Sequence, residues 1–158
     1  MPKIGKMMAA VFGAAIGVSA ANAACDPGVV DIRGENTSAR FTVEIADDPA
    51  EQAQGLMFVE NLPQFSGMLF VNAAPRPTAF WMKNTLIPLD MLFIDIEGTV
   101  QHLHENATPL SEASIFGGDE IFAVLEINGG LSSKLGIGVG SELRHPAFDA
   151  ATAAWPCE

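Results

Sequence analysis

Apolar and polar positions downstream of Cys25 alternate mostly with the period of short strands. In Arg40 to Ala46, Phe41, Val43 and Ile45 face one way and Thr42 and Glu44 the other, as in a half-buried strand. Val29 to Arg33 reads as a short strand before it. Gly67 to Asn72, Thr78 to Lys83, Met91 to Ile96, Thr99 to His104 and Ile121 to Ile127 read as further ones. Two runs, Met91-Leu92-Phe93-Ile94 and Ile121-Phe122-Ala123-Val124-Leu125, are apolar on both faces, which predicts central strands covered on two sides. Glu97-Gly98, between two strand runs, predicts a tight hairpin turn.

One helix is well signalled. Asp48 can cap it, Pro49 suits its first position, Glu51 stands at N3, and Gly55 suits a left-handed C′ position. A second helical turn fits Leu131 to Leu135, between Gly130 and Gly136. Glu105 to Glu120, with Pro109, Gly117 and Gly118, reads as a long loop of the kind that is often functional or mobile. These elements predict a mainly β domain, a compact jelly-roll-like β-sandwich or barrel. It should have about seven to nine short strands and one or two short helices. No repeat or linker divides residues 24–158, so they form a single domain.

The amino end follows another pattern. Lys3 and Lys6 precede an uncharged apolar run, Met7 to Ala21, which closes on Ala21-Asn22-Ala23. This is the layout of a secretory signal peptide, residues 1–23, cleaved after Ala23 or Ala24. The run is shorter than the about 20 residues of a bilayer span. The expected mature protein is therefore periplasmic or secreted, with no membrane span. The chain carries 8 basic and 19 acidic side chains, a formal net charge of -11. Without a basic stripe, nucleic acid is excluded as an expected partner.

An oxidising compartment gives the two cysteines a role. Cys25 and Cys157 flank the mature domain and predict a disulfide that ties down both termini. By chain entropy, a loop this long is worth up to about 5 kcal/mol. The rival reading, a lipid-bearing Cys25, lacks an apolar residue three places upstream and would leave Cys157 unpaired.

No catalytic residue is assigned, for the chain has no G-x-S-x-G elbow, phosphate loop or H-E-x-x-H motif. His102 and His104 are two apart on a strand and can face one ion, with Glu105, Glu126 or His145 as recruits. Met57, Met68, Met82 and Met91 add thioethers, so copper or zinc handling is the alternative function. The plain reading is a polar strand face and core methionines, with no cofactor. Glu126 shares a strand face with Phe122 and Val124 inside an apolar run. If buried, it needs a partner, for which Lys83 is the candidate, or it is forced neutral; if it lies at the strand end, it reaches solvent. The densest segment is FWMKNTLIPLD, Phe80 to Asp90. Asn84 and Thr85 suit a turn. In the functional reading Lys83, Asn84, Thr85 and Asp90 line a recessed site floored by Trp81 and Phe93 and joined by Glu126, and Asp90 orients Lys83. Lys83 is one of few cations in an acidic protein, so the expected ligand is a small anion such as a carboxylate or sugar acid. A protein partner is the other expectation.

Three stretches, GLMFVENLPQFSGMLF (Gly55 to Phe70), FWMKNTLIPLDMLFIDIEGTV (Phe80 to Val100) and VLEINGG (Val124 to Gly130), resemble the domain of unknown function 192 family. GIGVGSEL (Gly136 to Leu143) is similar to its closing G-I-x-x-G-D element, with Ser141 where the family usually has Asp. The resemblance covers about residues 40–143. It implies a small, often exported β-rich sandwich or barrel and carries no reaction. Lys83, Asn84, Thr85, Asp90 and Glu126 match the family's recurring polar positions.

Overall fold

The computed structural model describes residues 25–157; the expected signal peptide lies outside them. Seven strands and two short helices follow in order: β1 (Val29–Arg33), β2 (Ser38–Ala46), α1 (Pro49–Gln54), β3 (Ser66–Phe80), β4 (Leu89–Ile94), β5 (Val100–Ala107), β6 (Ile115–Asn128), α2 (Leu131–Leu135) and β7 (Glu142–Arg144). They form one mainly β domain built on a single sheet in the order β5-β4-β6-β3-β2-β1-β7. All neighbours are antiparallel except β2 and β3, which run parallel. A parallel pair needs a crossover, and α1 with the segment 55–65 supplies it.

The sheet curls into a half-barrel. Its two edges meet where β7 reaches the hairpin of β4 and β5. Val100 N donates to Ser141 O at 2.9 Å and Leu143 N to Gly98 O at 2.8 Å. The inner face packs Phe41, Leu69, Leu92, Ile94, Leu125 and Leu143 around one core. A second core lies on the outer face of β3, β4 and β6, where Phe70, Met91, Phe93 and Val124 pack with Met82 and Leu56 from the covering segments. The runs in β4 and β6 are apolar on both faces for this reason. Adjacent residues such as Leu92 and Phe93 serve different cores.

The predicted helices form as expected. Asp48 Oδ1 accepts from Ala50 N at 2.8 Å and Glu51 N at 2.9 Å. Gly55 ends α1 with φ +48° and ψ −139°, positive in φ but outside the left-handed helical basin. Three expectations need correction. Gly67 to Asn72 and Thr78 to Lys83 are not separate strands. They belong to the long β3, whose register with β6 shifts between Val71 and Ala79. Pro75 and Pro77 fall in that irregular stretch, where a missing N–H does not break the ladder. The expected loop 105–120 is mostly strand, leaving only 108–114 between β5 and β6. Phe122 does not share a face with Val124. It packs with Phe148 of the inner core, ring centroids 5.9 Å apart, because the register shift reverses the alternation.

Candidate functional site

Glu126 lies near the end of β6, opposite Met68 of β3 and Met91 of β4, on the outer face of the sheet. Gly67 of β3 allows this close pairing, because a Cβ there would stand 2.4 Å from the Glu126 carbonyl oxygen. The Glu126 side chain is buried, at 4% exposure. Among the described residues it makes no side-chain hydrogen bond and no ion pair. Burial therefore acts alone and pushes its carboxyl up to about 8, so it is held protonated at neutral pH. Of the outcomes open to a buried carboxylate, this chain takes the neutral one.

The carboxyl borders a cavity of about 190 Å³ between α1, the outer face of β3 and the turn after β3. Lys83, Thr85 and Trp81 line it, as expected from the segment that carries them. Arg76 lines it too, and local pattern did not single it out. It sits between the two prolines of β3, at the register shift, where the prolines mask the strand in the sequence. Its Nε donates to Asn72 Oδ1 at 2.9 Å, and Asn72 Nδ2 donates to Ile121 O at 3.0 Å, so the irregular strand is knotted by side chains. From α1, Gln52 completes the wall; its Nε2 donates to Val71 O at 2.8 Å.

The turn is built by backbone bonds. Thr85 N donates to Met82 O at 3.1 Å, and Met82 N to Ser111 O at 2.8 Å. Asn84 has φ +55° and accepts from Phe58 N through its carbonyl at 2.9 Å. Its Nδ2 donates to Met57 Sδ at 3.7 Å. Asn84 thus shapes the wall without lining the cavity. Lys83 does not pair with Glu126: its Nζ lies over the Trp81 ring, 5.0 Å from the centroid.

Asp90 departs from expectation. It points away from Lys83, toward the inner face, and is fully buried. Its Oδ1 accepts from Asn106 N at 2.8 Å and Gly130 N at 2.7 Å. Its Oδ2 accepts from Ser132 N at 2.9 Å and Ser132 Oγ at 2.5 Å. It cross-links β4, β5 and the start of α2, so it is an architectural residue and does not orient Lys83. His102 and His104 lie on β5 opposite Phe93 and Met91. Among the described residues no group of three or more His, Cys, Asp and Glu is placed to hold a metal ion. The copper or zinc alternative therefore has two imidazoles and no third such ligand. His145, its other recruit, is buried elsewhere, with Nε2 on Pro27 O at 2.8 Å.

A cavity walled by Lys83 and Arg76, with a protonated carboxyl inside and aromatic rings around it, can bind and orient a small anion. A family model described as DUF192, an uncharacterised ACR, matches residues 30–145. A crystal structure from Sinorhizobium meliloti, described provisionally as a transcription regulator, is 40% identical; the match covers 77% of this chain and 95% of that one, with a TM-score of 0.72. A second, of a protein of unknown function from Novosphingobium aromaticivorans, is 37% identical over 84% of this chain and 99% of that one, with a TM-score of 0.71. No curated protein matches the chain.

Proposed function

The chain belongs to the domain of unknown function 192 family, and from that premise we propose that it is an exported, non-catalytic binding module whose cavity takes a small organic carboxylate. The observation that carries the reading is Glu126, a buried carboxyl with no partner among the described residues that borders a cavity also lined by two cations. A buried polar group without a partner costs free energy, and a ligand that accepts its proton in a hydrogen bond would relieve that cost. A ligand carboxylate fits on two counts. It accepts from the protonated Glu126, and its charge is answered by Lys83 and Arg76. With a net charge of -11, the rest of the surface offers an anion few competing places. The same charge is the reason not to carry over the transcription-regulator description of the Sinorhizobium meliloti relative, since DNA binding needs a basic face.

Export rests on the leader pattern of residues 1–23, and a disulfide between Cys25 and Cys157 fits an oxidising compartment. Intact mass of protein taken from the periplasm should lack Met1 to Ala23, or to Ala24, and two further hydrogens. Two free thiols in fresh protein would refute this. For the site, calorimetric titration of small carboxylates compares wild type with Lys83→Met. Loss of a charged hydrogen-bond partner should weaken binding about ten- to a hundredfold while leaving the melting temperature unchanged. If every carboxylate bound by wild type binds the variant equally, the cavity is not the site.

A further inference from the structure

Beside the turn that walls the cavity, bulky apolar side chains stand in water. Phe58 is 67% exposed, Leu110 60%, Trp81 47% and Leu86 41%. Backbone bonds gather them about one turn. Phe58 N donates to Asn84 O at 2.9 Å, and Leu110 N donates to Thr85 O at 3.0 Å. Trp81 and Thr85 line the cavity itself, and Leu86 follows Thr85. Phe58 and Leu110 also hold left-handed backbone, φ +64° and +62°. For a bulky side chain that conformation is strained and uncommon, and such residues cluster at ligand clamps. Neither exposure nor strain serves the fold, because glycine or asparagine would suit both positions better.

Cavity size gives the rim a use. At about 190 Å³ the cavity is smaller than the about 300–1,000 Å³ that encloses a whole small-molecule ligand. It takes a head group and leaves the rest of the molecule at the mouth, against the exposed ring and aliphatic side chains. We infer that the ligand is a monomeric amphiphilic acid, its carboxylate in the cavity with Lys83 and Arg76 and its hydrocarbon tail across Phe58, Trp81, Leu86 and Leu110. This rests on the carboxylate reading above and narrows it, excluding sugar acids as the preferred class. Charge complementarity orients the molecule. The head meets the cations, and Phe58, Trp81, Leu86 and Leu110 offer the tail exposed apolar surface.

The test uses two acids with the same head, octanoate below its micellar concentration and gluconate, titrated into the disulfide-bonded mature protein. Octanoate should bind wild type at least about tenfold tighter, from partial burial of its methylenes. In Phe58→Gly/Leu110→Gly that preference should collapse toward parity, with gluconate affinity unchanged and the melting temperature equal or higher. Phe58→Asn/Leu110→Asn, which also tolerates the left-handed backbone, repeats the measurement should the glycine pair fold poorly. Gluconate binding as tightly as octanoate overturns the amphiphile and leaves the carboxylate site standing. Binding of neither acid overturns both. Octanoate bound equally by Lys83→Met shows tail adhesion alone and overturns the head-and-tail arrangement.

Discussion

Glu126 owes its behaviour to what is missing around it. The unfolded chain loses this proton near pH 4.5, whereas the native chain keeps it to about pH 8. A raised native value means that the associated stability is fully present below pH 4.5. It is lost as pH rises through the window, and the loss is complete once the native carboxyl also ionises. Over that range the loss is on the order of 3–5 kcal/mol. Glu126→Gln keeps the shape and removes the titration. Its urea midpoint should exceed that of wild type at pH 8 and differ little from it at pH 4. An equal gap at both pH values would show that the carboxyl titrates normally. Burial shifts His145 the other way, holding its imidazole below the ordinary histidine value of 6.5. The stability tied to neutral His145 is full above that value and is lost as pH falls below it. His145→Gln should therefore flatten the acid limb of the stability profile.

At the scale of elements, two close fits hold the outer and inner faces in place. Asp90 gathers three backbone N–H groups and the Ser132 hydroxyl where β4, β5 and α2 converge. Asp90→Ala strands these buried donors and should cost on the order of 3–5 kcal/mol. Chemical denaturation measures it, and a loss under 1 kcal/mol would mean that water replaces the carboxylate. Gly117 of β6 lies against Phe93 so closely that a Cβ would stand 1.8 Å from the ring. Gly117→Ala should destabilise by about 1–3 kcal/mol through overpacking. Adding Phe93→Leu should recover part of the loss, which separates crowding from backbone strain.

The whole molecule is closed by contacts between its ends. Cys25 and Cys157 form a disulfide across 132 residues. Trp155 lies between the guanidinium groups of Arg33 and Arg144, at 4.6 and 4.7 Å, and His145 reaches Pro27. Reduction frees both ends at once. It should lower the melting temperature, with a loss of up to about 5 kcal/mol, while the far-ultraviolet β signal remains. Cys25→Ser/Cys157→Ser should reproduce the reduced protein. A double variant that melts with the oxidised form would show that the aromatic and histidine contacts alone secure the termini.

Strand and helix identities were legible because burial on one face or two leaves a local trace. Alternation marks β2, a doubly apolar run marks β4 and most of β6, and Asp48-Pro49 marks the start of α1. The cavity was half legible. Lys83, Thr85, Trp81 and Glu126 stood out as polar or aromatic breaks in apolar runs, and they do line it. Arg76 did not, because two prolines disguised the middle of a continuous strand. Asp90 looked like a partner for Lys83 seven residues before it, yet its partners include Ser132, 42 residues away. The parallel pairing of β2 with β3 and the meeting of β7 with the β4–β5 hairpin are equally non-local. Sequence by itself determined which segments must bury a face, since that choice depends on each residue's own affinity for water. Only the tertiary structure decided which faces meet, which carboxylate is satisfied and which is left open to the cavity. Those outcomes depend on pairings between distant residues, and neither partner carries a mark of the other.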